Sequence, residues 1–166
     1  DFVCTKGGLR ASLAPVTRMK VRILLMVGLL VASGFAIWSW ARPYEWGADP
    51  AARCRVVGVE VRRDHANFWV TAHLRLLDGV EHDLMKPVRL EVKSGSDTML
   101  EPADTTLAGD DENGTTELWF KFWMEEDDLA HPLVLHINDG TLELKKSRGM
   151  PGLGSAGVRY FVTNRW

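Results

Sequence analysis

The sequence predicts a mainly β protein in which one N-terminal transmembrane helix precedes an antiparallel β-sandwich. Two observations lead to this prediction: an uncharged apolar run, and after it a series of short segments in which apolar and polar residues alternate. We expect five regions: a cytoplasmic arm at 1–22, the transmembrane helix at 23–41, a linker at 42–53, the sandwich at 54–146, and a glycine-rich linker with an extended C-terminal segment at 147–166.

The apolar run reads ILLMVGLLVASGFAIWSWA and contains no charged residue and no proline. At about 1.5 Å per residue it spans roughly 28 Å, close to the hydrocarbon thickness of a bilayer. A soluble helix of this length would need one polar face, which the run lacks. Aromatic rings favour the headgroup region, so we predict that four residues lie at the membrane interface: Trp38, Trp40, Tyr44 and Trp46.

The charges predict the orientation of this helix. Before residue 23 the chain has five Lys/Arg residues against Asp1 alone, whereas from residue 50 onward it has 14 Lys/Arg and 19 Asp/Glu. Basic flanks stay in the cytoplasm, so the N-terminus should be cytoplasmic and the main domain periplasmic, at a bacterial inner membrane. A cleaved signal peptide starting near Met19 is the alternative, but the run is long for a signal sequence and favours a retained anchor.

Small residues recur every four positions in the helix, at Gly28, Ala32 and Ala36. This spacing places them on one face and lets another helix approach closely. We therefore predict lateral helix packing there, although small residues are also common in transmembrane helices generally.

Segments of alternating apolar and polar residues from residue 54 onward predict six or seven short strands, each with one buried and one solvent-exposed face. The alternation is clearest at Val57–Val61, Phe68–Leu76, Val88–Val92 and Leu118–Met124. Asn138-Asp139-Gly140 predicts a hairpin between the last two strands, and Asp78-Gly79 predicts another turn.

In strand number and spacing, residues 54–146 resemble immunoglobulin-like and fibronectin type III-like modules. That resemblance implies an immunoglobulin-like sandwich. The Cys…Trp…Cys signature of true immunoglobulin domains is absent from the sequence, and so is a tyrosine at the expected corner.

No motif predicts a catalytic site, a cofactor or a metal. Gly152–Gly157 matches GxGxxG, but the following residues read as extended chain rather than the helix that a dinucleotide site needs. The five histidines lack metal-ligand spacing, and Cys4 and Cys54 are expected to be unpaired thiols.

Residues 97–128 hold 11 acidic residues, so we predict solvated loops that repel nucleic acid. Within them, Asp110–Gly114 lacks the ligand pattern of a calcium loop.

Aromatic residues on apolar segments predict protein contacts. The segment bearing Trp119 and Trp123 is apolar on both faces, so its second face must meet the domain's own chain or a partner. The C-terminal segment raises the same choice between pairing within the domain and strand addition to a neighbour. The predicted interface residues are Trp119, Trp123, Tyr160, Phe161 and Trp166.

These features favour a non-catalytic accessory subunit of a larger membrane complex. Its partners would be the bilayer and other subunits, contacted through the helix, the N-terminal arm and the β domain. In layout the chain resembles small single-pass subunits of bacterial photosynthetic reaction-centre–antenna and respiratory complexes. The second hypothesis is a free-standing, membrane-anchored module that binds a ligand or a soluble protein.

Overall fold

The computed structural model describes residues 15–40, 42–95, 98–110 and 114–166, without the side chains of residues 15–18, 40, 45, 46 and 110. The chain divides into two compact units, Asp1–Trp40 and Ala41–Trp166, which are described separately. Most of the predicted cytoplasmic arm, including Cys4, lies outside the described residues.

The first unit contains one helix, α1, at Pro15–Trp40. Proline is tolerated in the first turn of a helix because its missing N–H would have no partner there. Met19–Ser39 has a mean hydropathy of 2.1, and none of this span is buried within the chain. These 21 residues extend about 31 Å, so α1 is long and apolar enough to cross a membrane.

The second unit is mainly β, as predicted, and its described residues form two antiparallel sheets. Five strands make the first sheet, in the order β5-β6-β2-β1-β9. Their bounds are β1 Cys54–Asp64, β2 Asn67–Leu76, β5 Asp104–Asp110, β6 Gly114–Met124 and β9 Val158–Phe161.

Four strands make the second sheet, in the order β4-β3-β7-β8. Their bounds are β3 Arg89–Val92, β4 Thr98–Leu100, β7 Leu133–Ile137 and β8 Gly140–Lys145. The predicted hairpin is confirmed: Ile137 pairs with Gly140, and Asn138 takes the left-handed conformation at a φ of 54°. The predicted turn at Asp78-Gly79 is also present, with Gly79 at a φ of 73°.

One face of each sheet contributes to a single hydrophobic core. The largest buried side chains of the first sheet are Phe68, Phe120 and Phe122. The second sheet contributes buried side chains that include Leu90, Leu135 and Ile137. The alternation predicted for β1 needs one correction, because a bulge between Val56 and Gly58 shifts the register. Val56 and Val59 are therefore buried, while Val57 is only partly so.

The acidic stretch contains more regular structure than its composition predicts. It holds β4, β5 and all of β6, and at its end Glu126–Leu129 forms a short helix, α2, whose first turn is acidic. Acidic residues suit a helix N-terminus because they complement the positive end of its dipole. The tip between β5 and β6, at 111–113, lies outside the described residues.

The segment at 42–53, predicted to be a linker, packs onto the domain. It forms two 3₁₀ helices, Tyr44–Gly47 and Pro50–Ala52, and places Tyr44 and Ala52 in the core. Tyr44 was predicted to lie at the membrane interface, and its burial corrects that prediction: only 8% of the residue is exposed.

The C-terminal segment also packs onto this domain, which answers the choice that the sequence left open between pairing within the domain and strand addition to a neighbour. β9 pairs with β1. Phe161 and Trp166 are each only 9% exposed, and their rings stack with centroids 4.7 Å apart. The Trp166 indole N–H donates to the Tyr44 hydroxyl at 2.6 Å and to the Leu144 carbonyl at 3.0 Å. Phe161 and Trp166 are therefore core residues rather than protein-interface residues.

A fully buried lysine joins α2 to the chain after β8. The ammonium of Lys145 donates to the carbonyl oxygens of Leu129 at 2.6 Å, Gly149 at 2.7 Å and His131 at 3.3 Å. Burial lowers the pKa of Lys145 to about 8. Its three N–H donors thus match three carbonyl acceptors.

We predict that Lys145→Met lowers the free energy of unfolding by about 2–4 kcal/mol, because methionine fills the space but leaves three carbonyls without donors. Denaturant unfolding of the full chain in mild detergent measures this change. Lys146→Met is the matched control, because Lys146 is exposed, and it should change stability by less than about 0.5 kcal/mol. Equal effects of the two substitutions would contradict this account of Lys145.

Candidate protein-docking face

The candidate site is the outer face of the five-stranded sheet, opposite the core. Strand alternation turns one residue in two outward from β2, β6 and β9. Six of these outward residues, five aromatic and one cationic, are together called the aromatic face here: Trp69, His73, Trp119, Lys121, Trp123 and Tyr160.

A glycine in β1 makes room for Tyr160 on this face. The Tyr160 ring lies directly over Gly58, where a Cβ atom would overlap the ring. From the edge strand β9 the ring thus reaches across β1, and its hydroxyl lies 3.4 Å from Nδ1 of His73 in β2, a long hydrogen bond. Tyr160 remains 47% exposed at its outer side.

His73 lies at the centre of a hydrogen-bonded network. Its Nε2 is 3.1 Å from the Glu117 carboxylate, and its ring stacks on Trp119 with centroids 4.6 Å apart at 11°. The Arg75 guanidinium donates to the other oxygen of Glu117 at 2.8 and 3.2 Å. Both ring nitrogens of His73 therefore have a hydrogen-bonding partner.

The network shifts the pKa values of its acids in opposite directions. The Arg75 and His73 hydrogen bonds hold the pKa of Glu117 below its usual value, despite partial desolvation. Partial burial, together with the negative charges of Glu117 and Glu60, raises the pKa of Tyr160. Glu117 is therefore a carboxylate and Tyr160 a neutral donor at neutral pH.

A second network orders the other end of the face. The Trp69 indole N–H donates to the Asp64 carboxylate at 3.0 Å, and the Lys121 ammonium lies 4.3 Å from the centre of the Trp69 ring. Hydrogen bonds from His65 and Trp69 lower the pKa of Asp64. Trp123, which pairs with Trp69 across the strands, leaves 43% of its surface exposed.

This arrangement holds the aromatic rings in fixed positions. The aromatic rings are held in place by stacking and hydrogen bonds, which reduces the entropy lost when a partner immobilises them. The face can therefore present rigid aromatic anchors to another surface.

Three of the predicted interface residues, Trp119, Trp123 and Tyr160, lie on this face. The prediction missed Trp69, His73 and Lys121, although their alternation with buried residues was visible in the sequence. What the sequence does not reveal is the approach of Tyr160 to His73, which are 87 positions apart.

The residues predicted to contact the membrane or another helix lie mostly on α1. Trp38 is 44% exposed, whereas the side chains of Trp40 and Trp46 lie outside the described part of the molecule. Gly28, Ala32 and Ala36 are exposed along the helix. Their contact with another helix remains a prediction.

Across the described ranges, with their gaps at 96–97 and 111–113, no group of three or more His, Cys, Asp or Glu residues could hold a metal ion. The calcium alternative weighed for Asp110–Gly114 falls mainly outside those ranges. Cys54 is a buried free thiol whose pKa rises to about 12 because of desolvation. Such a thiol is poorly suited to nucleophilic chemistry.

Comparison with known proteins finds no match: no protein-family model, no curated protein sequence and no solved structure is similar to this chain.

We predict that Gly58→Ala destabilises the domain by about 1–3 kcal/mol, because the added methyl group displaces the Tyr160 ring. The measurement is the unfolding free energy in a double-mutant cycle with Tyr160→Ala, in which removal of the ring should abolish most of the penalty. Gly47→Ala is the control, since a Cβ there meets no atom within 4 Å. Additive effects of Gly58→Ala and Tyr160→Ala would show that the two residues do not conflict.

The lowered pKa of Glu117 predicts a pH-dependent contribution to stability. The contribution is present above the unfolded-state pKa, near 4.5, and is lost as the pH falls through the lower folded-state value. Glu117→Gln should therefore cost about 1–2 kcal/mol at pH 7, and the cost should shrink as both proteins are acidified. Paired denaturation curves from pH 7 downward test this, and a difference independent of pH would refute the assignment.

Proposed function

We propose that this chain is a non-catalytic, membrane-anchored docking subunit that holds a protein partner at the membrane surface. In this proposal α1 spans the bilayer and the aromatic face binds another subunit of a larger membrane complex. The β domain would lie outside the cytoplasm, on the periplasmic side of a bacterial inner membrane.

The aromatic face is the observation that carries the proposal. Tryptophan and tyrosine are enriched among the residues that dominate binding at protein interfaces. Here Trp69, Trp119, Trp123 and Tyr160 share one sheet surface, and Trp123 and Tyr160 keep nearly half of their surface exposed. A single exposed aromatic residue is ordinary, but a cluster of four is a reason to expect a partner.

The charges of the face favour a protein partner over a polyanion. Two ion pairs lie beside it: Arg75 with Glu117 at 2.8 Å, and Arg62 with Glu60 at 3.2 Å. Surface ion pairs add little stability, yet they fix a pattern of charge that a partner must complement. The pattern is mixed, whereas a nucleic-acid site would be predominantly basic.

Two properties of α1 support the proposed anchoring. The apolar side chains of Met19–Ser39 are exposed around the helix, as expected for lipid contact. Five Lys/Arg residues precede residue 23, while Arg42 is the first basic residue after the helix and Arg53 the next. This asymmetry supports a cytoplasmic N-terminus.

We also propose that the two sheets form an immunoglobulin-like sandwich. If the first eight strands are lettered A, B, C, C′, D, E, F and G, the observed orders become D-E-B-A and C′-C-F-G. These orders correspond to the two sheets of immunoglobulin-type domains, with β9 added beside strand A. The correspondence concerns topology and does not specify a function.

A second candidate function is a free-standing anchored module that binds a small charged ligand. A groove of about 370 Å³ at the end of the aromatic face favours it. Its lining includes Arg62, Asp64, Trp69 and Lys121. Mild detergent extraction separates the two candidates, because an accessory subunit co-purifies with partners in fixed stoichiometry and a free-standing module does not.

We predict that Trp123→Ser reduces recovery of the co-purifying partner at least about tenfold, because truncation of an aromatic anchor typically costs 2 kcal/mol or more. Quantitative mass spectrometry of mild-detergent extracts measures the recovery. Met85→Ser is the control, since Met85 is 91% exposed and lies outside the aromatic face. Unchanged recovery with Trp123→Ser, or an equal loss with Met85→Ser, would overturn the proposal that this face is the docking surface.

A further inference from the structure

A basic groove lies in the second unit, and Arg42, the first residue of that unit that the structure describes, lines it. It has a volume of about 230 Å³ and is formed entirely by residues of the second unit. Three cationic side chains from separate segments line it: Arg42 before the first 3₁₀ helix, Lys146 after β8, and Arg165 at the C-terminal end.

The floor and walls of this groove differ in polarity. The floor is apolar and consists of the buried core residues Tyr44, Val56 and Leu142. The three cationic side chains are exposed. The Tyr44 hydroxyl is already committed to the Leu144 carbonyl and the Trp166 indole. Charge is therefore presented at the rim, above an apolar floor.

The described lining residues of the groove carry a net positive charge. Among them Glu143 is the one acid, and the Asn164 side-chain amide donates to that carboxylate at 2.7 Å. Within the described residues, neither Lys146 nor Arg165 makes an ion pair. Two cations are thus available to an external anion, and Arg42 adds a third positive charge to the same wall.

Chain connectivity limits the distance between Arg42, which lines the groove, and the last residue of α1. Arg42 follows that residue, Trp40, by two positions. Consecutive Cα atoms are 3.8 Å apart, so the two Cα atoms are at most about 8 Å apart. If α1 spans a bilayer, Arg42 is therefore within reach of the headgroups of the leaflet on the domain's side.

We propose that this groove binds the phosphate group of an anionic phospholipid, with Lys146 and Arg165 contacting the phosphate oxygens and Arg42 reinforcing the field. The apolar floor suits the glycerol and first methylene groups beside the phosphate. This inference rests on the proposed anchoring of α1, but it is independent of the aromatic face. Its effect would be to fix the domain against the membrane surface.

The test uses the full chain purified in mild detergent and titrated with mixed micelles containing phosphatidylglycerol or phosphatidylcholine. Native mass spectrometry counts the lipids retained per chain. Lys146→Gln and Arg165→Gln should each weaken phosphatidylglycerol retention about fivefold, because each cation near an anionic lipid surface contributes a factor of that size. Arg148→Gln is the matched control, since Arg148 is exposed but does not line the groove.

The expected result is preferential retention of phosphatidylglycerol that Lys146→Gln and Arg165→Gln reduce and Arg148→Gln does not. Equal retention by all four proteins would overturn the inference. Inorganic phosphate provides the second arm: if it binds as tightly as phosphatidylglycerol with the same dependence on Lys146 and Arg165, the site takes a soluble anion and the lipid assignment is wrong.

Failure of the lipid-binding proposal can be distinguished experimentally from failure of the proposed membrane anchoring. A chain that extracts from membranes in buffer without detergent would overturn the anchoring itself. A chain that stays in the membrane but shows no lipid preference would overturn only the groove assignment.

Discussion

Much of the β domain depends on the hydrogen bonds that join Trp166, Tyr44 and Leu144. They connect the chain arriving from α1, the edge strand β8 and the C-terminal segment in one buried cluster. Burial raises the pKa of Tyr44, so its hydroxyl remains a neutral donor throughout the physiological range. By holding the C-terminal segment in place, the cluster also positions β9, and β9 places Tyr160 on the aromatic face.

The local alternation of apolar and polar residues predicts those strands that have one buried and one exposed face. It does not predict elements whose position depends on contacts with distant parts of the chain. The alternation around Phe68–Leu76 and Leu118–Met124 predicts β2 and β6 because burial follows the period of the strand. β5 carries acidic residues and little apolar alternation, so its pairing with β6 is not visible locally. The burial of Trp166 depends on Tyr44, 122 positions away, and no pattern near the C-terminus reveals that partner.

The candidate site likewise contains some residues that the sequence pattern indicates and others whose role only the folded structure reveals. Trp119 and Trp123 stand out in the sequence because their strand is apolar on both sides. The role of Gly58 does not, because its missing side chain matters only once Tyr160 lies above it. The basic groove is still harder to foresee, since its three cations come from segments that meet only in the folded domain.

The attachment of Tyr44 has a mechanical consequence. Only residues 41–43 separate the end of α1 from a side chain that is bonded to β8 and to Trp166, and the Tyr44 amide also donates to the Val162 carbonyl at 3.2 Å. A pull on α1 would have to break these bonds together before the chain beyond Tyr44 could unravel. Force that reaches Tyr44 along the chain would therefore load β8 and the segment after β9 at once, which resists peeling better than a single strand attachment does.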